Sequence, residues 1–190
     1  MRRIRLCQET DLPSLYKCLR RVKEGIRLEG LDYWNDEYPL EEDLKEDFEA
    51  GRLYIVKEGG RVIGALAVSH DVAHSFFPES RSEKKAVDLL DKVGHKGEDV
   101  LMISRLMIDP AFQKKGIGTE FLKSILANYR HTSFLISVSK RNVKAVSFYK
   151  KNGFVPSFSP EFEYGGFPSS EFVLMTRMYR PQGLCKEPLF

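Results

Sequence analysis

The stretch from Val100 to Thr119 constrains this chain more than any other. Val100 to Ile108 is alternating and then apolar, as in a strand with a buried face, and Asp109-Pro110 stops it. From Gly116 onward Ile117, Phe121, Leu122, Ile125 and Leu126 recur at helical spacing, so a helix with one buried side opens there. The connection between them holds Lys114 and Lys115, with glycines at 116 and 118. A strand, a glycine-bearing turn and a helix start leave amides without intrahelical partners at the positive end of the helix dipole. That arrangement suits a phosphate or pyrophosphate. The expectation is an anionic ligand at this turn.

Two phosphate motifs are excluded. A P-loop needs four residues between its glycines and a following Lys-Ser/Thr, which Gly116-Ile117-Gly118-Thr119 does not provide. A dinucleotide fingerprint wants a third glycine where Phe121 stands, after the first strand of a βαβ unit.

The remaining pattern is mixed α/β. Arg3 to Cys7 reads as a first strand, and Thr10 or Asp11 can cap a helix whose apolar face is Leu12, Leu15, Tyr16, Leu19, Val22 and Ile26. A second helix is expected from about Leu40 to Ala50, stopped by Gly51. Leu53 to Lys57 and Val62 to Ser69 are strands joined through Gly59-Gly60, and Gly64 marks a bulge or a close approach. Residues 70 to 98 read as an insertion with a helix capped by Ser82, carrying Ala86, Leu89, Leu90 and Val93 inward and ended by Gly94. Ser133 to Ser139 is a strand, and Arg141-Asn142 opens a helix closed by Asn152-Gly153. Two last strands, from Phe154 onward and from Phe172 to Tyr179, flank a Gly165-Gly166 loop. Sequential strand pairs of this kind predict a partly antiparallel sheet covered by helices. The chain of 190 residues reads as one domain over 1–180, with the insertion at about 70–98 and a tail at 181–190.

Charge is divided along the chain. Residues 29–49 hold ten acidic side chains and one basic one, whereas 100–151 hold ten basic and two acidic. Two ligands of opposite sign are one reading and solvated helix faces the other. Hydrophobic content of 42% and charged content of 30% are those of a soluble globular chain. No apolar run approaches the ~18 residues of a membrane span, and no signal-peptide region opens the chain. Cys7, Cys18 and Cys185 form neither a disulfide framework nor a metal knuckle, which predicts a cytoplasmic protein with Cys7 and Cys18 in the core. His70, His74, His95 and His131 lack ligand spacing, so no metal is expected.

Gln113-x-x-Gly116-x-Gly118, five residues after Ile108, resembles the acetyl-CoA motif of the GNAT superfamily of N-acetyltransferases. Asn142 to Phe154 resembles that family's second hallmark, in the right order. The resemblance implies an α/β (α+β) fold: a mixed, mostly antiparallel central sheet flanked by helices, with a splay between the fourth and fifth strands. It implies acetyl-CoA as acyl donor, its pyrophosphate held by amides from Lys114, Lys115, Gly116, Ile117, Gly118 and Thr119 and its pantetheine arm paired with the backbone of Leu106, Met107 and Ile108. Lys114, Lys115 or Lys123 would add charge, or would be ordinary surface lysines. Asn142 matches a cofactor-contacting position and is equally suited to capping its helix. Tyr149, seven residues later, matches a tyrosine that protonates the departing sulfur; otherwise it would be core.

The resemblance implies transfer of an acetyl group to a primary amine, by direct attack in a ternary complex. A phenol with a pKa near ~10 stays protonated at neutral pH and can donate to a thiolate whose acid has a pKa near ~8.5. The general base is not carried over. In ribosomal-protein alanine N-acetyltransferases a glutamate stands five residues before the asparagine, where this chain has Ser137. Asp32, Asp36 and Glu37 are candidates by region, with His70 and His74 behind them. A cationic amine is the expected acceptor, drawn by the acidic, aromatic stretch 29–49; a small metabolite is favoured because the 70–98 insertion offers a lid for a pocket, a peptide or protein amine is the alternative, and a non-catalytic acyl-CoA-binding regulatory module the reading from another class. Neither nucleic acid nor membrane is expected as a partner. A homodimer is left open.

Overall fold

Strand alternation sets two apolar faces, and the chain closes both. The computed structural model describes residues 2–70, 88–91, 100–129, 132–158 and 172–178. Among them seven strands form one sheet: β1 (Arg2–Leu6), β2 (Leu53–Glu58), β3 (Arg61–Ser69), β4 (Val100–Ile108), β5 (Ser133–Ser139), β6 (Val155–Phe158) and β7 (Phe172–Arg177). Their order is β1-β2-β3-β4-β5-β7-β6. Every neighbouring pair is antiparallel except β4 with β5. The helices are α1 (Leu12–Leu28), α2 (Glu41–Glu49), α3 (Ile117–Asn128) and α4 (Val143–Lys151). This is the mixed, mostly antiparallel architecture expected from the sequence.

Residues opposite one another in the ladder share a face. Leu53↔Ala67 and Ile55↔Ala65 of β2 and β3 join the buried cluster beneath α1 and α2, which includes Leu15, Cys18, Leu19, Val22 and Leu44. Their neighbours Val56 and Leu66 point the other way, into the cluster under α3 and α4. There Phe121, Leu122 and Ile125 meet Phe134, Ile136 and Val138 of β5. The spacing read as helical in 117–126 is therefore the buried stripe of α3.

Turn chemistry acts where expected. Gly59 and Gly60 both have positive φ, 57° and 81°, in the β2–β3 hairpin. The expected cap at the start of α1 differs. Asp11 makes no side-chain cap; it is buried, accepting a fork from Arg5 (2.7 and 3.0 Å), Lys57 Nζ (2.6 Å) and the Gln8 amide (2.9 Å). The cations and the Gln8 amide take its oxygens in place of the first-turn amides of α1. Of the helix expected within 70–98, residues 88–91 are helical with Leu89 buried. Its cap Ser82, Ala86, Val93 and the Gly94 stop lie outside the described residues, as do Cys185, His74, His95, His131, the Gly165-Gly166 loop and the 181–190 tail. Among the described residues no helix is long and apolar enough to cross a membrane.

Candidate active site

The sheet opens at its centre. β4 and β5 pair only at Val100↔Ser133, Leu101↔Phe134 and Met102↔Leu135, although β4 continues to Ile108 and β5 to Ser139. Beyond Met102 the edge of β4 that faced β5 has no strand beside it among the described residues. This is the splay between the fourth and fifth strands, and Leu106, Met107 and Ile108 lie along it. Met107 is buried among the α1–α2 side residues, and Leu106 and Ile108 pack on the α3–α4 side. Their side chains are core, which leaves the backbone for recognition.

Along the same stretch of β4, its ladder with β3 carries a bulge. Ala65 pairs with Met107 and Ala67 with Ser104, so one residue, Leu66, lies between the partners on β3 and two, Arg105 and Leu106, on β4. The phase change shows in the packing too: Leu101 and Ile103 share a face, and after the extra residue Leu106 and Ile108 take it up. Arg105 sits in the bulge at φ 53°, a left-handed value for a residue with a side chain. Opposite, Gly64 pairs with Ile108 because nothing larger fits. A Cβ there would stand 2.6 Å from Ile108 Cδ1, 2.7 Å from the Met107 carbonyl oxygen and 2.9 Å from Val56 Cγ1.

The turn after β4 is braced on both sides. Asp109 is buried, accepting Arg21 Nε (2.7 Å), Arg61 Nη2 and the Ala111 amide (3.1 Å). Burial alone would raise its pKa, but Arg61, Arg21 and the amide together hold it below the ordinary value. Gln113 Nε2 donates to the Ile108 carbonyl (2.9 Å), which explains a glutamine five residues on. Lys114 (φ 59°) and Gly116 (φ 77°) both turn left-handed before α3 begins. The first intrahelical bond is Glu120 N to Gly116 O, so the amides of Ile117, Gly118 and Thr119 have no intrahelical acceptor. A Cβ on Gly118 would meet Phe148 at 3.4 Å and Ile108 at 3.6 Å, so the end of β4, the start of α3 and the middle of α4 converge there. Free amides, a helix N-terminus and a missing side chain make a fitting cradle for a pyrophosphate. Lys115 instead reaches the Ala111 carbonyl (2.9 Å) beside the Phe112 ring, and Lys114 and Lys123 make no ion pair among the described residues.

On the far wall, Asn142 Oδ1 accepts the Ala145 amide (3.0 Å) and caps α4, the local role the sequence allowed. Tyr149 is 9% exposed, its ring edge-to-face with Phe148 (5.2 Å) and Phe154 (5.7 Å). Its hydroxyl makes no hydrogen bond among the described residues. Burial, with Tyr33 nearby, pushes its pKa well above the ordinary phenol value, so it stays protonated. Tyr33, which sequence reasoning did not single out, is itself raised to about 12 by burial and Glu29.

The charge division in the sequence largely closes on itself. Arg141 pairs with Asp32 (2.8 Å), Lys144 with Glu29 (2.6 Å) and Arg105 with Asp47 (2.6 Å). Arg20 holds Glu41, Arg52 holds Glu46 and Asp47, and Lys45 faces Glu49 at 3.6 Å. Asp43 accepts the Leu40 amide. Asp36, Glu37, Glu42 and Asp43 thus have no ion pair among the described residues. Asp32 is engaged, and Ser137 carries a buried hydroxyl with no hydrogen-bond partner among the described residues. Cys7 and Cys18 are buried, with burial raising their thiols to about 11 and about 12, so neither is a nucleophile at neutral pH. Among the described residues no His/Cys/Asp/Glu group could hold a metal.

Comparison with known proteins agrees with this geometry. A structure of a GNAT-family acetyltransferase from Streptococcus agalactiae superposes with a TM-score of 0.73 at 17% identity, over 95% of this chain and 96% of that one. The PaiA N-acetyltransferase of Thermoplasma acidophilum, solved in complex with coenzyme A, gives 0.62 at 16% identity, covering 94% and 99%. The ribosomal-protein-S18-alanine N-acetyltransferase of Escherichia coli gives 0.63 at 14% identity, covering 97% and 98%. The family model described as "Acetyltransferase (GNAT) family" matches residues 14–154, three-quarters of the chain, from α1 through the glycine turn to the end of α4. The chain thus belongs to the GNAT acetyltransferase family and is an acetyl-CoA-dependent acetyltransferase.

Proposed function

We propose that the protein transfers acetyl from acetyl-CoA to the primary amine of a small molecule, by direct attack while both substrates are bound. The observation that carries this reading is the convergence at Gly118: the open edge of β4, the free amides of α3 and the Tyr149-bearing helix meet at one place. Acetyl-CoA supplies an activated thioester. The amides of 117–119 bind its pyrophosphate, with Lys114 and Lys123 nearby to add charge. The backbone of Leu106, Met107 and Ile108 orients the pantetheine arm, and amides on that edge stabilise the oxygen that becomes negative during attack. Tyr149 gives its phenolic proton to the departing sulfur. Its raised pKa supports this, because the group remains an acid across the neutral range.

The acceptor side is narrower in charge than the sequence suggests. With six of the ten acids of 29–49 paired to cations of the same chain, four carboxylates, Asp36, Glu37, Glu42 and the amide-bonded Asp43, remain to attract a cationic amine. Ser137 gives no carboxylate where the ribosomal-protein alanine enzymes have one, which favours a small amine over a peptide N-terminus. The test is thiol release on mixing acetyl-CoA with polyamines, amino acids, aminoglycosides and peptides in turn. Release matched by an acetylated small amine is expected. Coenzyme A binding with no turnover on any amine would instead leave a non-catalytic acyl-CoA-binding module, and turnover confined to peptides would move the acceptor class.

A further inference from the structure

Arg105 is left unexplained by the acetyl-CoA site. It lies three residues past the last rung shared with β5 and directly before Leu106, in the bulge of β4 against β3. Only Arg105 and Lys114, among the described non-glycine residues, have positive φ, and Lys114 lies in a turn where such values are ordinary. A strand residue with a side chain does not rest there unaided. Its guanidinium is held in turn. Nε donates to Asp47 Oδ2 at 2.6 Å, Nη2 to Asp47 Oδ1 at 2.7 Å, and Nη1 to the Tyr38 hydroxyl at 3.3 Å. Asp47 lies on α2, is 0% exposed, and also accepts Arg52 Nε at 2.6 Å. The Arg105 side chain is 14% exposed, so water does not loosen the fork. A planar guanidinium on a carboxylate fixes direction as well as distance.

We infer that Arg105 is a positioning residue for acetyl transfer: its fork onto Asp47 holds the bulged backbone left-handed and so aims the Leu106–Ile108 edge at the acyl donor. This rests on the reading that the donor's arm lies along that edge. A plain tie between α2 and the sheet would need no left-handed backbone, and the two roles separate by substitution. Glycine adopts positive φ freely, whereas alanine does not, and both lose the fork.

The experiment compares wild type, Arg105→Ala and Arg105→Gly by kcat, coenzyme A dissociation constant and Tm, with amide hydrogen exchange at 106–108 in the absence and presence of coenzyme A. Arg105→Ala is expected to lose about tenfold or more in kcat, as misplacement of a reacting group does. Its coenzyme A affinity should change less than about threefold, since the turn at 114–119 carries most of it. Measured well below both melting temperatures, Arg105→Gly should recover much of the kcat, while its Tm, still without the fork, stays below wild type and within about 4 °C of Arg105→Ala. Equal kcat in the two variants, or kcat that simply follows Tm, would overturn the inference. Absence of coenzyme A protection at 106–108 in the wild type would remove the reading beneath it, and the inference with it. Should Arg105→Ala not fold, Arg105→Lys replaces it: the single ammonium cannot fork, so kcat should still fall, and wild-type kcat would refute the role.

Discussion

Replacing Tyr149 with phenylalanine removes one oxygen and keeps the ring that packs on Phe148 and Phe154. Because the hydroxyl has no hydrogen-bond partner among the described residues, its loss should cost less than about 0.5 kcal/mol of stability. At 2–4 °C per kcal/mol for a domain of this size, Tm should move by no more than about 2 °C. Turnover should behave differently. General acids contribute about 10²–10⁴-fold, and a thiolate is already a fair leaving group with a conjugate-acid pKa near ~8.5. The loss should therefore fall near the low end, about a hundredfold in kcat. Coenzyme A affinity by calorimetry should stay within about twofold, since the hydroxyl is far from the phosphate cradle in role. With its pKa raised by burial, Tyr149 should impose no falling limb on the wild-type pH profile between about pH 7 and 10. The assay is thiol release at saturating amine, read beside a thermal melt. A kcat within twofold of wild type at unchanged Tm would take Tyr149 out of the chemistry.

Four further outcomes can be checked. Gly118→Glu should abolish coenzyme A binding in calorimetry, because its Cβ fits against Phe148 and Ile108 while its carboxylate enters the phosphate cradle; normal binding would refute the cradle. Gly64→Ala should cost about 1–3 kcal/mol in urea unfolding, since one of its clashes is with the Met107 backbone carbonyl, which no rotamer relieves. Asp11 is held near pH 2, at about 2 against the ordinary 3.8, by Arg5 and Lys57 despite burial. Its contribution is complete above about pH 5 and lost as pH falls through the folded value, about 2 kcal/mol that Asp11→Asn should remove from the acid limb of a urea-stability profile. Cys7 and Cys18 should resist a thiol reagent at pH 8 in the native state and react on unfolding, because both are buried and raised in pKa.

The sequence carried most of the fold because its signals are local. Gly59-Gly60, Gly51 and Asn152-Gly153 punctuate the chain where φ must be positive, and the α3 stripe is one unbroken helical period. The phosphate turn was legible for the same reason, since Gln113, Gly116 and Gly118 act within five residues of one another. What stayed hidden depends on distant partners. Asp11 looks like a cap until Arg5 and Lys57 arrive from two strands. The acidic stretch looks like a lure for cations until Arg105, Arg141 and Lys144 are folded against it. The bulge did leave a trace, Ser104-Arg105 placed side by side where a strand face should alternate, but its meaning needs the register with β3. Tyr33 left none.

The three rungs between β4 and β5 have a thermodynamic consequence. A sheet joined at its middle by so short a ladder places a weak seam between two well-paired blocks, one around β2 and β3 and the other around β5 and β7. A substrate that lies along the seam and contacts both sides adds to the cohesion of the fold as well as to the reaction. By mass action, a hundredfold excess over its dissociation constant adds about 2.7 kcal/mol to the unfolding free energy. By the same relation, an acyl donor bound along the seam would tie the persistence of the fold to its own concentration.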